Sequence, residues 1–526
     1  MNKKKDGIRE GMSKGCVYML LHHTFIDNVK KDPKKIAVID QSTEKNVSYE
    51  NLLIASLVFR DVFSQYKSKY IGIMLPPSSG CIIALLGAIF CRKVPVMINY
   101  STGVVENCQY AQNKCNFRTI ITSRKLFEKL GLEEFKGVVF MEDLVPQISL
   151  LQKLKAKFLS KLPAAQLKSL VGEGEMTDDL VILFTSGSEK DPRAVQLSHK
   201  NIKHNITAVE DVLNINKTDI FLTNLPYFHV FGLTVNLWVP LVVGGQIITI
   251  LSPLDYKVVV ESVAKYKVSV LVSTPTFLYG YLQKSKKGDF DTVRYFVSGA
   301  DKLPSQIRDE YIRIHNIEVL EGYGATETSP IISVNYPSCF KRGSVGKPLP
   351  GVQVRITDLE SGAELPRGSE GKILVKGDLV MKGYFGNIEE TYVRIRDGWY
   401  DTGDMGILDE EGFLHHRGRL KRFVKIGGEM VSLVKVEDEI NKLLPEETIC
   451  CVVDIPDQIK GAEIVAVVTT KQIDHKEIRK KLNKILPKIA IPKKFAIMDE
   501  MPMTSSGKVN FRAVEAKCRN EEMETF

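Results

Sequence analysis

The segment "LFTSGSEKDPRAVQLSHKN", residues 183–201, carries the pattern on which the prediction of the fold depends. The β-rich runs "VILF" and "AVQL" flank a loop of small hydroxyl residues and glycine. A helical pattern follows, in which Ser198 can cap and Ile202, Ile206, Val209 and Leu213 recur at helical spacing. The segment therefore predicts two strands joined by a loop, with a helix directly after them.

The loop between these strands has the chemistry of an anion site, although it is not a Walker A loop. That motif requires G-x-x-x-x-G-K-[ST], and Pro192 stands five residues after Gly187. Arg193 adds a forked cation suited to phosphate oxygens. The hydroxyl and backbone N–H groups that can close on an anion come from Thr185, Ser186, Gly187 and Ser188. The alternative is an ordinary Ser/Gly turn between two strands.

Strands and helices alternate outward from this segment to about residue 415. Such alternation is typical of βαβ units, whose parallel sheets are covered by helices on both faces. From Gly343 to His416 short strands with Gly and Pro turns indicate a more antiparallel, barrel-like subdomain. A compact α+β module of a usual domain size follows. We predict a basic flexible tail over residues 1–15, a large domain over 16–420 and a small domain over 421–526.

The bulk composition is that of a folded globular protein. The chain has 526 residues, of which 44% are hydrophobic and 26% charged, and a net charge of +9. This mild excess suits an anionic ligand and does not favour nucleic acid. The nine cysteines show no metal-ligand spacing and indicate reduced thiols. With no recognisable signal peptide, the predicted location is cytoplasmic, and peripheral contact with a membrane stays open.

One uncharged stretch is long enough to span a bilayer. Residues 220–254 contain no Asp, Glu, Lys or Arg. Pro240 and the pair Gly244–Gly245 interrupt it, and "GGQIITI" has the pattern of a turn followed by a buried strand. We predict a buried core segment rather than a transmembrane helix.

Four further motifs follow the loop in a fixed order. They are "EGYGATETSP" (321–330), "GWYDTGD" (398–404), "GRLKRFVKIGGEMVS" (418–432) and "PMTSSGKVNFR" (502–512). With these five motifs the chain resembles the adenylate-forming superfamily of acyl-CoA synthetases, luciferase-like enzymes and adenylation domains. The resemblance implies a large α/β domain of two doubly wound βαβ subdomains and a distorted β-barrel subdomain. A small mobile α+β C-terminal domain would complete the fold.

The resemblance also implies a reaction and its co-substrates. The family joins a carboxylate to the α-phosphate of ATP, releases pyrophosphate, and passes the acyl group to a thiol. Thr185 to Ser188 and Arg193 would hold the β- and γ-phosphates. Thr326 would contact the α-phosphate, while Glu327, together with Thr185, would hold Mg²⁺. Lys508, on a long flexible stem, would reach both the carboxylate and the α-phosphate.

Further residues are expected to form the nucleotide pocket. By resemblance Tyr323 stacks on adenine, Asp404 accepts the ribose hydroxyls, and Arg419 supports Asp404. The complete set of expected nucleotide contacts outside the loop is Ser298, Gly299, Ala300, Glu321, Gly322, Tyr323, Gly324, Ala325, Asp404 and Arg419.

The small domain must turn between the two half-reactions if the resemblance holds. Lys508 and the loop "KIGGE" (425–429) belong to one module but serve different steps, so both cannot face the phosphate at once. Gly427 and Gly428, with Lys425, would line the channel of the thiol arm, where a side chain would obstruct it. The predicted hinge is Lys421.

The acyl pocket is expected beside "LPYFHVFGLTVNLW" (225–238), with His229, Phe231 and Gly232 at its mouth. A long apolar wall would favour long-chain acids, since each buried CH₂ contributes about 0.8 kcal/mol. His229 could instead be a metal ligand or general base, but no partner is spaced for it. We therefore predict a packing or gating role.

Within the superfamily, "FTSGSE" and "KVPVMINYS" look most like bacterial acyl-[acyl-carrier-protein] synthetases, in their ligase part only. The predicted thiol is that of acyl carrier protein, and a helix rich in lysine (474–486) offers a basic docking face. Coenzyme A is the alternative acceptor, and a solvated helix would explain the same lysines. The loop departs from the family at Lys190, Arg193 and Ala194, so a non-catalytic acyl- or nucleotide-binding protein is the second alternative.

Overall fold

The computed structural model describes residues 19–526 apart from residues 102, 186–191, 427, 428, 446, 447, 458–460, 471, 505–507, 521–523 and 526. The predicted tail over residues 1–15 lies outside the described part of the chain. So do five predicted site residues, which are Ser186, Gly187, Ser188, Gly427 and Gly428.

The first half of the large domain alternates helices and strands, as predicted. In chain order the elements are α1 (Leu21–Lys31), β1 (Ile36–Asp40), β2 (Lys45–Ser48), α2 (Tyr49–Phe63), β3 (Tyr70–Ile73), α3 (Ser79–Phe90), β4 (Val94–Met97), α4 (Val104–Cys115), β5 (Ile120–Thr122), α5 (Arg124–Leu130), β6 (Val138–Phe140), α6 (Met141–Gln147), α7 (Leu150–Leu159), α8 (Ala164–Val171), β7 (Asp179–Thr185), β8 (Arg193–Ser198) and α9 (His199–Leu213).

The second half of the large domain continues the alternation and then becomes strand-rich. Its elements are β9 (Ile220–Thr223), a π-helix (Gly232–Trp238), α10 (Val239–Val243), β10 (Gln246–Thr249), α11 (Tyr256–Tyr266), β11 (Val270–Ser273), α12 (Pro275–Lys284), β12 (Tyr295–Ser298), α13 (Ser305–His315), β13 (Leu320–Gly324), a 3₁₀ turn (Thr326–Thr328), β14 (Ile331–Val334), β15 (Lys347–Pro348), β16 (Gln353–Thr357), β17 (Glu370–Lys376), β18 (Gly383–Tyr384), α14 (Ile388–Arg394), β19 (Ile395–Arg396), β20 (Trp399–Leu408), β21 (Leu414–Arg419) and a second 3₁₀ turn (Leu420–Arg422).

The small domain is built from two sheets and three helices over its described residues. They are β22 (Phe423–Ile426), β23 (Glu429–Ser432), α15 (Leu433–Asn441), β24 (Cys450–Asp457), β25 (Gly461–Val468), α16 (His475–Leu482), a 3₁₀ turn (Lys488–Ala490), β26 (Lys494–Ile497), α17 (Phe511–Arg519) and β27 (Glu524–Thr525).

Serine residues begin several helices of the large domain. The side chains of Ser48, Ser78, Ser123, Ser149 and Ser198 each accept a hydrogen bond from a backbone N–H in the first turn. Such caps satisfy donors that the helix itself leaves unpaired and stabilise it by about 1 kcal/mol.

Two large sheets carry the strands of the alternating region, which confirms the predicted doubly wound α/β fold. Across the described chain, one sheet runs β15-β14-β13-β12-β11-β9-β10-β1-β2 and the other β18-β8-β7-β4-β3-β5-β6. Pairing is parallel in the middle of each sheet and antiparallel at both edges of the first, whereas the second is antiparallel at its β18 edge and parallel at its β6 edge. β7 and β8 form an antiparallel hairpin that sets Thr185 opposite Arg193 at the ends of the loop.

The strand-rich region forms a separate antiparallel sheet. Among its described residues the order is β16-β17-β20-β19, with β21 also paired to β20. This pairing agrees with the antiparallel subdomain predicted for residues 343–416. It sets Asp404 on β20 directly opposite Arg419 on β21.

The uncharged stretch over residues 220–254 is core, as predicted. It contains β9, the π-helix, α10 and β10, and Trp238 and Leu241 are fully buried. Within the described residues, no helix has both the length and the apolar character needed to cross a membrane.

Helical spacing in the segment 474–486 predicts that Ile478, Leu482 and Ile485 face inward, and the prediction for Ile485 is wrong. Ile478 and Leu482 of α16 are buried, but Ile485 is 54% exposed. The helix ends at Leu482, and the N–H groups of Ile485 and Leu486 then bond back to the Leu482 carbonyl. This tighter turn rotates Leu486 inward in place of Ile485, because the helical spacing no longer applies beyond the last turn.

Candidate nucleotide and acyl site

The buried carboxylate of Asp404 lies among polar side chains where β20 and β21 meet β13. Tyr323 donates its hydroxyl to Asp404 Oδ2 at 2.6 Å, and His416 Nε2 lies 3.8 Å from the same oxygen. Arg419 Nε is 3.5 Å from Asp404 Oδ1. The Tyr323 and His416 rings lie 4.9 Å apart, so one face of the tyrosine packs on the histidine. Three of the four residues were predicted, and His416 was not.

The surroundings of Asp404 keep it ionised. Burial alone would raise its pKa, but the hydrogen bond and charge of His416 and the charge of Arg419 outweigh burial, and the pKa lies below the usual aspartate value. Its Oδ1 atom is buried and accepts no hydrogen bond within the described part of the chain. A buried carboxylate oxygen with an unused lone pair fits a hydroxyl donor such as that of a ribose.

The turn after β13 leaves the backbone of a glycine and a threonine exposed. A Cβ added to Gly324 would lie 1.8 Å from the Pro330 carbonyl oxygen, so only glycine fits there. The Ala325 N–H donates to that carbonyl at 3.1 Å, and Thr326 then begins a 3₁₀ turn. Gly324 is exposed and Thr326 is partly exposed, so this backbone is accessible to a ligand.

Glu327 lies within the 3₁₀ turn and is buried. Tyr384 donates its hydroxyl to Glu327 Oε1 at 2.8 Å, and the Glu327 carbonyl accepts from the Met381 N–H. A fixed carboxylate beside threonine hydroxyls is a donor set of the kind that Mg²⁺ prefers. Within the described residues, no group of three or more His, Cys, Asp or Glu side chains could hold a metal ion by itself.

The carboxylate of Glu321 is paired with a cation inside the protein. Its carboxylate forms a buried ion pair with Arg308 and accepts a hydrogen bond from the Leu303 N–H at 3.3 Å. Burial raises its pKa, and Arg308 opposes that rise. These contacts position the strand, so the prediction of a nucleotide contact through the Glu321 side chain gains no support.

Arg193, the predicted phosphate cation, is paired within the protein. Its Nη2 lies 2.8 Å from Glu390 Oε1 on α14, and its guanidinium carbon lies 5.4 Å from the centre of the Tyr384 ring. Glu390 also contacts Arg394, at 3.4 Å. An anion bound in the loop would therefore have to compete with Glu390 for Arg193.

The predicted nucleotide turn and the predicted acyl pocket contact each other. A Cβ added to Gly299 would lie 3.1 Å from the Phe231 ring. Ser298 precedes it with a buried hydroxyl that has no hydrogen-bond partner among the described residues, and Ala300 follows with a φ of 70°. An acyl group lying against Phe231 would therefore meet a nucleotide lying against the Ser298–Ala300 turn.

His229 lies at this junction and is held neutral. Burial, helped by the positive charge of Lys508, lowers its pKa to about 4. Its ring packs 4.5 Å from that of Phe228. Gly232 starts the π-helix, and a Cβ there would lie 2.4 Å from the Pro226 carbonyl oxygen. The packing or gating role of His229 stays a prediction.

Lys508 extends from the small domain into this site. Its pKa is lowered, first by burial, while Asp301 and Asp404 oppose that change and Arg419 adds to it. The charges that act on Lys508 therefore include those of Asp404 and Arg419, which belong to the group of residues around the Asp404 carboxylate. Its backbone N–H donates to the Thr504 hydroxyl at 3.1 Å, which joins the chain on the two sides of residues 505–507.

Residues on the two sides of Lys421 are attached to different domains. Arg419 faces Asp404 of the large domain, whereas Arg422 bonds to Glu437 at 2.6 Å and to the Val452 carbonyl at 2.8 Å in the small domain. Lys421 lies in the 3₁₀ turn between them. Lys425 lies on β22, four residues further on.

Four residues near the site were not predicted from the sequence. His416 lies three residues before Arg419, and the irregular pairing of β20 with β21 sets both toward Asp404. The others are Tyr384, Glu390 and Asp301. Glu390 pairs with a residue 197 positions earlier, and a pattern within one segment contains no signal of such a distant contact.

Comparisons with known proteins agree with this geometry. Residues 25–385 match the family described as AMP-binding enzyme, and residues 438–508 match the AMP-binding enzyme C-terminal domain. The chain is 26% identical to the long-chain-fatty-acid–CoA ligase of Bacillus subtilis (strain 168), covering 93% of each chain. It is 30% identical to a feruloyl-CoA synthase of Amycolatopsis sp. over 68% of this chain and 74% of that protein. The structure of ATP-bound MatB from Rhodopseudomonas palustris superposes with a TM-score of 0.80 at 27% identity, covering 95% of this chain and 99% of that one.

Proposed function

Because this chain belongs to the AMP-binding enzyme family, we propose that it activates a fatty acid with ATP and transfers the acyl group to coenzyme A. The fatty-acid substrate and the CoA acceptor are supported by the names of relatives such as the B. subtilis long-chain-fatty-acid–CoA ligase. The observation that carries the proposal is the buried carboxylate of Asp404, to which Tyr323 donates its hydroxyl at 2.6 Å while the other carboxylate oxygen accepts no hydrogen bond within the described residues.

The first half-reaction would form an acyl-adenylate. A carboxylate oxygen attacks the α-phosphorus of ATP, the new oxygen–phosphorus bond forms, and the bond to pyrophosphate breaks. Both reactants are anions, so fixed cations and donors must offset their repulsion. Lys508 would contact the carboxylate and the α-phosphate, and Thr326 would donate to the phosphate. Asp404 and Tyr323 would hold the nucleoside.

By the family resemblance, the oxygens of Glu327 and Thr185 would hold Mg²⁺ together with the phosphates. When bound, this ion would supply positive charge to the phosphate oxygens. Tyr384 would orient the Glu327 carboxylate through the 2.8 Å hydrogen bond to Oε1. Oxygen ligands supplied largely by the nucleotide are usual for this cation.

The second half-reaction would form the thioester. A thiolate sulfur attacks the acyl carbon, the carbon–sulfur bond forms, and AMP leaves with the electron pair of the broken bond. Lys421 would be the hinge that replaces Lys508 with the Lys425–Glu429 loop, since its neighbours belong to different domains. A few backbone dihedral angles at such a position can absorb a large rotation.

Acyl carrier protein, the acceptor predicted from the sequence, is the second candidate. It is favoured by the exposed lysines of α16 and the segment after it, among them Lys476, Lys480 and Lys484. An acidic carrier protein could dock on this basic face. The names of the relatives favour coenzyme A, so the carrier protein takes second place.

The two acceptors are separated by a sequential assay. Pyrophosphate exchange into ATP is measured across fatty acids of increasing length and with ferulate, and either coenzyme A or holo-acyl carrier protein is then added. We expect exchange with long-chain acids and turnover with coenzyme A. Turnover with the carrier protein alone would favour the second candidate. Nucleotide and acid binding without exchange would identify a non-catalytic relative.

A further inference from the structure

The helix α7 presents an apolar face to solvent. Leu150, Leu151, Leu154 and Phe158 are 72%, 76%, 54% and 70% exposed. Successive helical residues turn by about 100°, so these four side chains occupy an arc of about 100°. We call this arc the α7 face. Scattered exposed apolar residues are ordinary, whereas four on one helix face indicate a surface that something covers.

The α7 face is directed away from the rest of the protein. Ala156, on the opposite side of the helix, is buried, and Leu159 packs against the core. Lys155 pairs with Asp61 of α2 at 2.7 Å, and Lys161 pairs with Glu50 of the same helix. Ser149 and Gln152 form a capping box at the start of α7. The helix is therefore attached by its other side, and the exposed leucines are not misplaced core residues.

Lysines border the α7 face on both sides. By the same geometry Lys155 follows one edge of the arc, and Lys153 and Lys157, both exposed, precede the other. The surrounding segment 144–172 contains five lysines and no aspartate or glutamate. An apolar arc bordered by cations complements a surface whose interior is apolar and whose outer layer is anionic. An anionic phospholipid bilayer has this arrangement. A second copy of this face would instead set like charges opposite each other.

We propose that the α7 face docks this protein on the anionic surface of a phospholipid bilayer. Leu151, Leu154 and Phe158 would enter the boundary between headgroups and acyl chains, while Lys153 and Lys157 would contact lipid phosphates. The helix would lie in the plane of the interface without crossing it. This inference rests on α7 alone and does not depend on the proposed reaction.

Co-sedimentation of the purified full-length protein with vesicles tests the proposal. We expect binding to vesicles of phosphatidylcholine mixed equally with phosphatidylglycerol, weaker binding to phosphatidylcholine alone, and weakening by salt. The double variant Leu151→Ser, Phe158→Ser should lower affinity for the mixed vesicles by about tenfold or more. Lys153→Gln with Lys157→Gln should lower affinity for the mixed vesicles only.

The matched control replaces two exposed apolar residues elsewhere, with Leu254→Ser and Ile388→Ser, and should bind like the original protein. All variants change exposed positions, and an unchanged melting temperature verifies their folding. Failure of the original protein to bind, or equal loss in the control, would overturn the proposal. So would a dimer, seen by analytical ultracentrifugation, that dissociates in the Leu151→Ser, Phe158→Ser variant, since a second copy would then cover the face.

Discussion

The two ends of the proposed nucleotide site differ in whether a ligand must displace a protein contact in order to bind. At the nucleoside end, Asp404 is surrounded by Tyr323, His416 and Arg419, and one of its oxygens keeps an unused lone pair. At the phosphate end, Arg193 already has a carboxylate partner, Glu390 at 2.8 Å. At the nucleoside end the protein contacts of Asp404 are in place before a ligand binds. At the phosphate end Arg193 must exchange the Glu390 carboxylate for a phosphate.

This difference shows that charge alone does not define a preorganised site. A preorganised group lowers a barrier because its environment does not rearrange when the ligand arrives. Asp404 meets that condition, since its neighbours hold its pKa low. Arg193 must first lose the Glu390 contact, so part of its attraction for phosphate is offset. The following variants test this comparison in decreasing order of expected effect.

The largest effect is expected for Lys508→Ala. This change removes the cation proposed to contact both anions, so adenylation should fall by at least roughly a hundred- to a thousandfold. Transfer from preformed acyl-adenylate should be nearly unchanged, because Lys508 would not face the site in that step. Pyrophosphate exchange and single-turnover transfer measure the two steps separately.

Lys517→Ala, an exposed lysine on α17, is the control for Lys508 and should leave both steps intact. An equal loss of adenylation and transfer in Lys508→Ala would refute the assigned role.

Lys421→Pro should have the opposite effect to Lys508→Ala, with adenylation kept and thioester formation lost. Proline restricts φ to about −65° and should trap the domain orientation in which Lys508 faces the site. Adenylation should survive while thioester formation falls by about a hundredfold or more, since the rotation gates that step. Lys421→Ala keeps the backbone free and should show normal rates. Unchanged rates in both variants would mean that the hinge lies elsewhere.

Asp404→Asn tests the nucleoside end. The amide loses the charge-assisted hydrogen bonds, so KM for ATP should rise by about tenfold to a hundredfold. In the unchanged protein, ionised Asp404 should not limit ATP binding until the pH falls below the usual range in which aspartate titrates, because its pKa lies below the usual value. The stabilising effect of its charge on the fold is present above the unfolded pKa and is lost as the pH falls through the folded one.

Asp401→Asn is the matched control for Asp404, because Asp401 lies three residues earlier and pairs with Lys372 instead. A similar KM in both variants would show that Asp404 has no special contact with ATP.

The smallest effects are expected at the phosphate end. Arg193→Ala should raise KM for ATP by about tenfold and Arg193→Lys by less, since a cation remains. Glu390→Gln should lower KM by a factor of about two to five, because it removes the competing carboxylate from a partly exposed pair. ATP titrations of the initial rate measure all three. A higher KM in Glu390→Gln would mean that Glu390 positions Arg193 rather than competing for it.

Local patterns in the sequence were sufficient to predict the elements, and motifs that resemble a known family nominated the candidate site residues. The spacing of Ile202, Ile206, Val209 and Leu213 after Ser198 predicted α9 and its cap, because helical periodicity and capping depend on neighbouring residues only. By resemblance, the ordered motifs nominated Asp404, Tyr323 and Lys508. The structure joins Tyr323 to Asp404 by a hydrogen bond, and the charge of Asp404 acts on the pKa of Lys508. The exception at Ile485 occurred where α16 ends, because periodicity says little about the turn that follows.

Contacts between distant segments required the tertiary structure. The pairing of Arg193 with Glu390, the packing of His416 on Tyr323, and the outward direction of the α7 face depend on which segments meet in space. Hydrophobic periodicity predicts that a helix has an apolar face, but it does not state whether that face meets the core. For α7, the ion pairs to α2 and the burial of Ala156 decided that its leucines face solvent.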